Sequence, residues 1–378
     1  MIVSTDQLQK AGHNSTQIQI IQTGIDEKRA RELDGETLDT AKEHAETLVE
    51  ETLAIALKES VAVARRTADD RMKAFEKILL FRMEPSKLRQ ALMEPDFFLT
   101  FRKAQASAAA TERPSDYDLL SELLVQRFEK KQDRPIRVGI ERAVDTVNQI
   151  SDDALLGLTV IHSILCFVPE SGDINKGLDK LNNFFGKILY SNLPSHSDWL
   201  EDLEALNTIK LLSIGELKKL RQYYPKRVEG YIAVGIKKDS TNHEKAIKLL
   251  ANISLPENVL VEHTFNSDYI RLAISKRKYI NKICVEGIVD ENFLSTNGIN
   301  DAQKETLYSI YDLYENDEVI INQNIDKLME EWGKREYLKI IKNWWDNINT
   351  GIQITSSGRY LAHANAQRCD KDVPSSLG

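Results

Sequence analysis

The sequence predicts a mainly α protein: a helical bundle with a short N-terminal β-segment and a small C-terminal helical domain with minor β structure. Three observations predict it. Apolar residues recur at spacings of three and four along most of the chain, the period of helices with one buried face. Pro and Gly punctuate those stretches rather than interrupt them. Strand-like alternation is confined to a few short runs. The 378 residues suffice for two or three domains. The texture divides them into a β-segment (1–24), a helical bundle (25–170), a second helical domain (171–350) and a strand-turn-helix with tail (351–378).

The β-segment comes first. A turn-rich stretch from Gly12 to Thr16 precedes Gln17, Ile18, Gln19, Ile20, Ile21 and Gln22, in which Ile alternates with Gln. A lone strand cannot satisfy its own backbone N–H and C=O groups. It must pair with a strand in this chain or in another copy, and because few other strand-like runs exist these six residues are the expected self-association site.

Residues 26–82 contain no Pro and read as helix, with Gly35 separating a short first piece from a longer second one. Leu38, Ala41, Ala45, Leu48, Thr52, Ile55 and Ala56 form a stripe. It does not keep a clean seven-residue repeat, which favours a bundle helix over a coiled-coil seam. From Asp26 to Ser60 there are 11 acidic and 5 basic residues, so the opposite face should be solvated. Asp96 is placed to cap a helix carrying Phe97, Phe98 and Phe101. Ser115 to Asp118 reads as a capping box for a helix buried through Leu119, Leu120, Leu123, Leu124 and Phe128. Pro135 opens the next helix, and Ser151 caps an apolar run from Leu155 to Val168. That run is shorter than the ~20 residues a membrane span needs.

In the second half, Leu178, Leu181, Phe185 and Ile188 mark one helix. Ser213 to Glu216 reads as a capping box before Leu217, Leu220 and Tyr224, and 228–236 leans to β. Further helices are expected over 244–251, 303–314, 324–332 and 335–348, with Gly351 as a C-cap. Ile352 to Ile354 is strand-like, and Thr355 to Gly358 caps a last helix. Of the adjacent Trp344 and Trp345, one is expected in the core and the other at an interface or over the Ile354 strand.

No catalytic or metal-binding residue and no cofactor is expected. No phosphate-binding glycine loop, H-E-x-x-H or G-x-S-x-G is present. No two of the seven His lie three or four residues apart, which removes the helical metal-ligand pair. The thiols Cys166, Cys284 and Cys369 read as inert packing residues without a His partner. With no apolar leader or span, a cytoplasmic location is expected. The net charge of −8 argues against a wholly polyanion-binding surface, but charge is uneven. From Lys210 to Lys282 there are 15 Lys and Arg against 7 Asp and Glu. Within it Lys218, Lys219, Arg221, Tyr223, Lys226 and Arg227 interleave cations with an aromatic ring, a pattern that suits nucleic acid. The competing reading is a contact with the acidic stretch 290–336, which carries 12 acidic and 4 basic residues.

Gly12-His13-Asn14-Ser15-Thr16-Gln17-Ile18-Gln19, the helical 40–57, Glu94-Pro95-Asp96-Phe97, Asp118 to Leu124, Ile354 to Ala362 and Ala364-Asn365 together resemble a family of uncharacterised bacterial proteins. The resemblance spans most of the chain and is weakest over about 170–340. It implies a soluble, mainly helical bacterial protein and supplies no catalytic residue. The Gly-x-Asn-Ser-Thr-Gln-Ile segment is also similar to N-terminal segments of bacterial conflict and sensor proteins, which implies a role in defence against phage. The leading expectation is a non-enzymatic, self-associating interaction or sensor protein that recognises a phage or host protein. The alternatives are a nucleic-acid-binding protein using 210–282, whose C-terminal strand-turn-helix is similar to the end of a winged-helix domain, and a hydrolase or nuclease assembled from distant residues.

Overall fold

A computed structural model describes residues 35–130, 132–168, 173–255, 257–282, 284–290 and 293–374. The candidate strand at 17–22 lies outside them. The fold is mainly α with small antiparallel sheets, as the periodicity predicts. The chain divides into two compact units, one ending at Lys73 and the other comprising Ala74–Gly378.

Helix α1 (Gly35–Arg82) is one piece of 48 residues, about 70 Å long at 1.5 Å per residue. The expectation that its stripe is buried in a bundle is not met over the described side chains. Ala45, Leu48, Thr52 and Ile55 are exposed, and Leu48 and Ile55 keep 53% and 60% of their surface in water. Val49, Leu53, Leu57, Val61 and Val63 are exposed as well. High intrinsic propensity, from Ala, Glu, Leu and Lys, is what favours this stretch as helix. In the second unit the end of the same helix buries Phe75 and Leu79.

The second unit continues with α2 (Pro85–Leu92), α3 (Pro95–Ala110), α4 (Ser115–Glu129), α5 (Arg134–Thr146), α6 (Asp152–Cys166), α7 (Ile174–Ile188) and α8 (Asp198–Ala205). The chain then runs through β1 (Ile209–Leu212), α9 (Leu220–Tyr223), α10 (Glu229–Ile232), β2 (Ile236–Lys237), α11 (Thr241–Asn252), β3 (Leu260–Glu262) and β4 (Tyr269–Leu272). It ends with β5 (Cys284–Asp290), β6 (Phe293–Gly298), α12 (Asp301–Tyr311), α13 (Glu318–Gly333), α14 (Glu336–Asp346), β7 (Gly351–Ile354) and α15 (Ser356–Cys369).

The larger core is built around α6 and α15. Every residue of α6 from Ala154 to Ile164 is buried, which is why its sequence is apolar all round. Helix α15 packs on α4, α5, α6 and α7 and buries Leu361 through Gln367. A winged-helix reading needs an exposed recognition helix, and α15 instead lies inside the core. A smaller core holds Ile236, Leu250, Leu272, Ile280, Leu307 and Ile310, where α11 and α12 meet the sheet β2-β4-β3.

Polar anchors fix the main core at three places. Arg82 bridges Asp118 and Glu122, at 2.5 and 2.6 Å. Asp96 stands in the first turn of α3, and Glu94 occupies the cap position. The Asp96 carboxylate accepts from Arg127 at 2.8 Å and also from Arg137. Thr355 caps α15, its hydroxyl accepting from the Gly358 N–H at 3.2 Å.

Several local expectations are overturned. Ser115 forms no cap: α4 starts after Pro114, and Thr111 and Arg113 donate to Asp116 instead. The box at 213–216 starts no helix. Gly215 adopts φ +99, and α9 begins only at Leu220, whose N–H donates to Asp346 Oδ1 at 2.7 Å. The β-leaning 228–236 is mostly the helical turn α10, with a strand only from Ile236. Gly351 opens β7, and α14 is capped at Asn347. Trp345 is the core residue, 1% exposed, while the half-buried Trp344 packs its ring against Trp199, ring centres 5.5 Å apart.

Candidate functional site

Three of the six basic-stretch candidates line one open groove of about 580 Å³. Lys218, Arg221 and Lys226 form its rim, and Pro225, Ile232, Ile321 and Ile325 its apolar wall. The local sequence explains this placement. Pro225 lacks an N–H and ends α9, so the chain tightens into a 3-10 turn, Tyr224–Arg227. That turn swings Lys226 to the side that already carries Lys218 and Arg221. The start of the segment is pinned to α14: the Trp345 indole donates to the Lys218 carbonyl at 2.9 Å. Below the turn, Tyr224 is fully buried against Trp332, ring centres 4.6 Å apart, and burial pushes its hydroxyl pKa up.

The other three candidates serve the fold. Lys219 donates to the backbone carbonyl of Asp346 at the end of α14, where a cation also suits the helix dipole. Arg227 donates to the Cys166 carbonyl at 3.3 Å. Tyr223 is half-buried with its ring 5.7 Å from Trp345. Arg221 lines the groove but pairs with Asp326 at 2.7 Å, and farther along Arg277 pairs with Asp312 at 2.8 Å. The acidic stretch thus neutralises part of the basic one, and Lys218 and Lys226 are the rim cations left facing water. Such a rim can hold an anionic group while the apolar wall takes an aliphatic or aromatic portion.

A second constellation escaped sequence reasoning. Cys166 does have a His partner: its Sγ lies 3.5 Å from Nδ1 of His162, one turn earlier on α6. The H-x-x-x-C spacing carries that signal. His363 of α15 faces His162 with ring centres 5.7 Å apart, and both imidazoles are buried. Burial, helped by His363 and Arg359, pushes the His162 pKa down to about 3. Cys166 is exposed rather than a packing residue, yet the surrounding protein still raises its thiol pKa, against the opposing pull of Arg227 and Arg359. Both shifts favour the neutral thiol and the neutral imidazole. They disfavour the thiolate–imidazolium pair that an activated cysteine needs. Among the described residues no three His, Cys, Asp or Glu converge as a metal site.

A family model matches residues 35–373, nine-tenths of the sequence. The chain belongs to that family, which is uncharacterised. Its members' model covers every anchor described above, from Arg82 to Thr355. Comparison with curated proteins and with solved structures gives no match. Among the described residues no helix is long and apolar enough to cross a membrane.

Proposed function

We propose that this family member is a non-enzymatic, self-associating interaction protein whose association element is α1. One observation carries the proposal: Leu48, Val49, Leu53, Ile55, Leu57, Val61 and Val63 stand exposed within five turns of one helix. Exposed apolar side chains at this density support an interaction role for the helix. Burying a single Leu, Ile or Val is worth roughly 1.5–3 kcal/mol, so a few such side chains per copy offset the cost of association. The candidate strand Gln17–Gln22 lies just upstream in sequence and is retained as a second association element. The resemblance of the first residues to segments of conflict and sensor proteins supports extending the proposal to cytoplasmic defence against phage, with a phage or host protein as partner.

Sedimentation equilibrium of the full chain tests the core of this. A mass above the monomer is expected, reduced to the monomer by Leu48→Glu with Ile55→Glu. A wild-type monomer at all concentrations would end the proposal. Deleting residues 1–24 then separates the contribution of the strand from that of the helix.

A second reading, nucleic-acid binding, is favoured by Lys218, Arg221 and Lys226 lining one groove. Its test is the affinity for a single-stranded oligonucleotide as salt is raised. A log–log slope steeper than about −1.4, two phosphates neutralised, supports it, and no binding at low salt removes it.

A further inference from the structure

We infer that the groove between α13 and the 3-10 turn Tyr224–Arg227 is a binding site for a small amphipathic anion, an aliphatic chain ending in a single carboxylate. This ligand differs from the nucleic acid of the second reading, and binding it does not require self-association.

The groove is preformed. Its turn segment is seated on α13 by two buried contacts. The Asn324 side chain, 1% exposed, donates to the Ile232 carbonyl at 3.1 Å. Two helical turns farther along, Trp332 packs on Tyr224. Both walls are therefore fixed by the core, and a volume of about 580 Å³ lies within the range that small-molecule sites occupy.

The wall selects the tail of the ligand. Ile321 and Ile325 lie one turn apart on the same side of α13 and join Pro225 and Ile232 in the lining. Both isoleucines keep part of their surface open to water, so covering them with apolar atoms is favourable. Among the described residues no aromatic ring lines the groove. A nucleic-acid base stacks on such a ring, whereas an alkyl chain needs only the aliphatic surface.

The rim selects the head. Arg221 is already matched, since its Nε and one terminal nitrogen both donate to Asp326 Oδ1, at 2.9 and 2.7 Å. Lys218 and Lys226 are the cations left facing water. Two compact ammonium charges beside an aliphatic wall suit one carboxylate. They fall short of a track for consecutive phosphates, because Lys219 and Arg227 are turned to the Asp346 and Cys166 carbonyls. The Asp326 carboxylate beside Arg221 also repels further negative charge, which favours a monoanion over a polyanion.

The test is isothermal titration of the full chain with decanoate, below its micelle concentration and at low salt. A single saturable site is expected. Hexanoate, shorter by four methylenes, should bind at least about tenfold more weakly. Decyltrimethylammonium, of the same chain length and opposite charge, should also bind at least about tenfold more weakly, and Lys218→Ala with Lys226→Ala should weaken decanoate to a similar extent. Ile321→Ser should narrow the gap between decanoate and hexanoate. Circular dichroism checks that each variant keeps the fold, and the comparison of probes on the unaltered chain stands without any variant. Absence of saturable decanoate binding would overturn the assignment. So would equal binding of the decyl cation, or an affinity unmoved by the double lysine change. An oligonucleotide that binds through Lys218 and Lys226 while decanoate does not would decide for the second reading instead. Monomer and oligomer should titrate alike, so a failure of self-association leaves this result standing.

Discussion

Gly358 lies so close to the carbonyl group of Thr208 that a Cβ there would stand 2.8 Å from the carbonyl carbon and overlap the oxygen. The contact joins α15 to the residue before β1. It is reinforced by Thr355, whose hydroxyl lies 2.9 Å from the Thr208 carbonyl oxygen, and by the Ser357 hydroxyl donating to the Asn207 carbonyl at 3.1 Å. Strand β7 pairs with β1 from Ile354 opposite Ile209, so the whole corner is one clamp. In an ordinary helix Gly→Ala stabilises by about 1 kcal/mol. Here the overlap is with backbone that cannot yield, and overpacking costs of about 1–3 kcal/mol or more dominate. Gly358→Ala should therefore lower the midpoint of denaturant unfolding. An unchanged or raised midpoint would show that the clamp gives way.

Asp96 is half-exposed, but its partner Arg127 is 2% exposed. The asymmetry sets the expected effect. Removing Asp96 leaves the Arg127 guanidinium buried with its charge less compensated, and breaking such pairs costs about 3–5 kcal/mol. Arg137 also binds the carboxylate and loses its partner too. Asp96→Ala should destabilise strongly, and adding Arg127→Met should recover a large share. Equal stability of the single and double variants would show that the buried charge is not the cause.

These anchors mark the limit of what the sequence makes legible. Periodicity locates the helices, because α6 or α4 must place apolar residues every three or four positions to be buried at all. Caps formed by Ser151 and Thr355 are equally legible, since donor and acceptor lie within three residues. Ser115 and Ser213 have the same local pattern and cap nothing, because Pro114 and Gly215 set the backbone there. The short strands β1 and β4 leave little signal, since each is four residues long, and β1 pairs only with the distant β7. Half of the basic site is visible as composition. Its sorting into the rim cations Lys218 and Lys226 and the structural Lys219 and Arg227 depends on Asp346 and Cys166, distant in sequence.

The groove makes a prediction opposite in sign to simple charge removal at a folded surface. Arg221 is held by Asp326, and the pair is exposed on both sides. Exposed pairs of this kind contribute about 0–1 kcal/mol to stability. Asp326→Asn should leave the unfolding midpoint nearly unchanged while freeing the guanidinium and removing a negative charge from the groove. Binding of a single-stranded oligonucleotide should then tighten, whereas Lys218→Ala with Lys226→Ala should weaken it. Equal affinity across wild type and all three changes would locate binding elsewhere.

Acid sensitivity should come from three buried histidines, His162, His263 and His363, each with its pKa lowered chiefly by burial. His263 is 1% exposed, with Nε2 donating to the Ala233 carbonyl at 2.8 Å and Nδ1 accepting from the Phe265 N–H at 3.1 Å. A proton on Nδ1 would break the second bond. Burial, with Arg271 and Lys327 nearby, lowers its pKa to about 4, despite the opposing Ala233 bond. For His162 burial, His363 and Arg359 lower it to about 3. Both native pKa values lie below the unfolded value near 6.5, so the unfolded chain takes up protons first as pH falls. Stability is fully present above pH 6.5 and declines towards pH 4 to 3. Between pH 6.5 and 5 the loss is of the order of 2 kcal/mol per histidine. Denaturant midpoints at pH 7.5, 6 and 5 should fall progressively. His162→Leu should flatten that slope in part, with His263 and His363 keeping the rest, whatever it does to stability at pH 7.5. An unaltered slope would place the titrating group elsewhere.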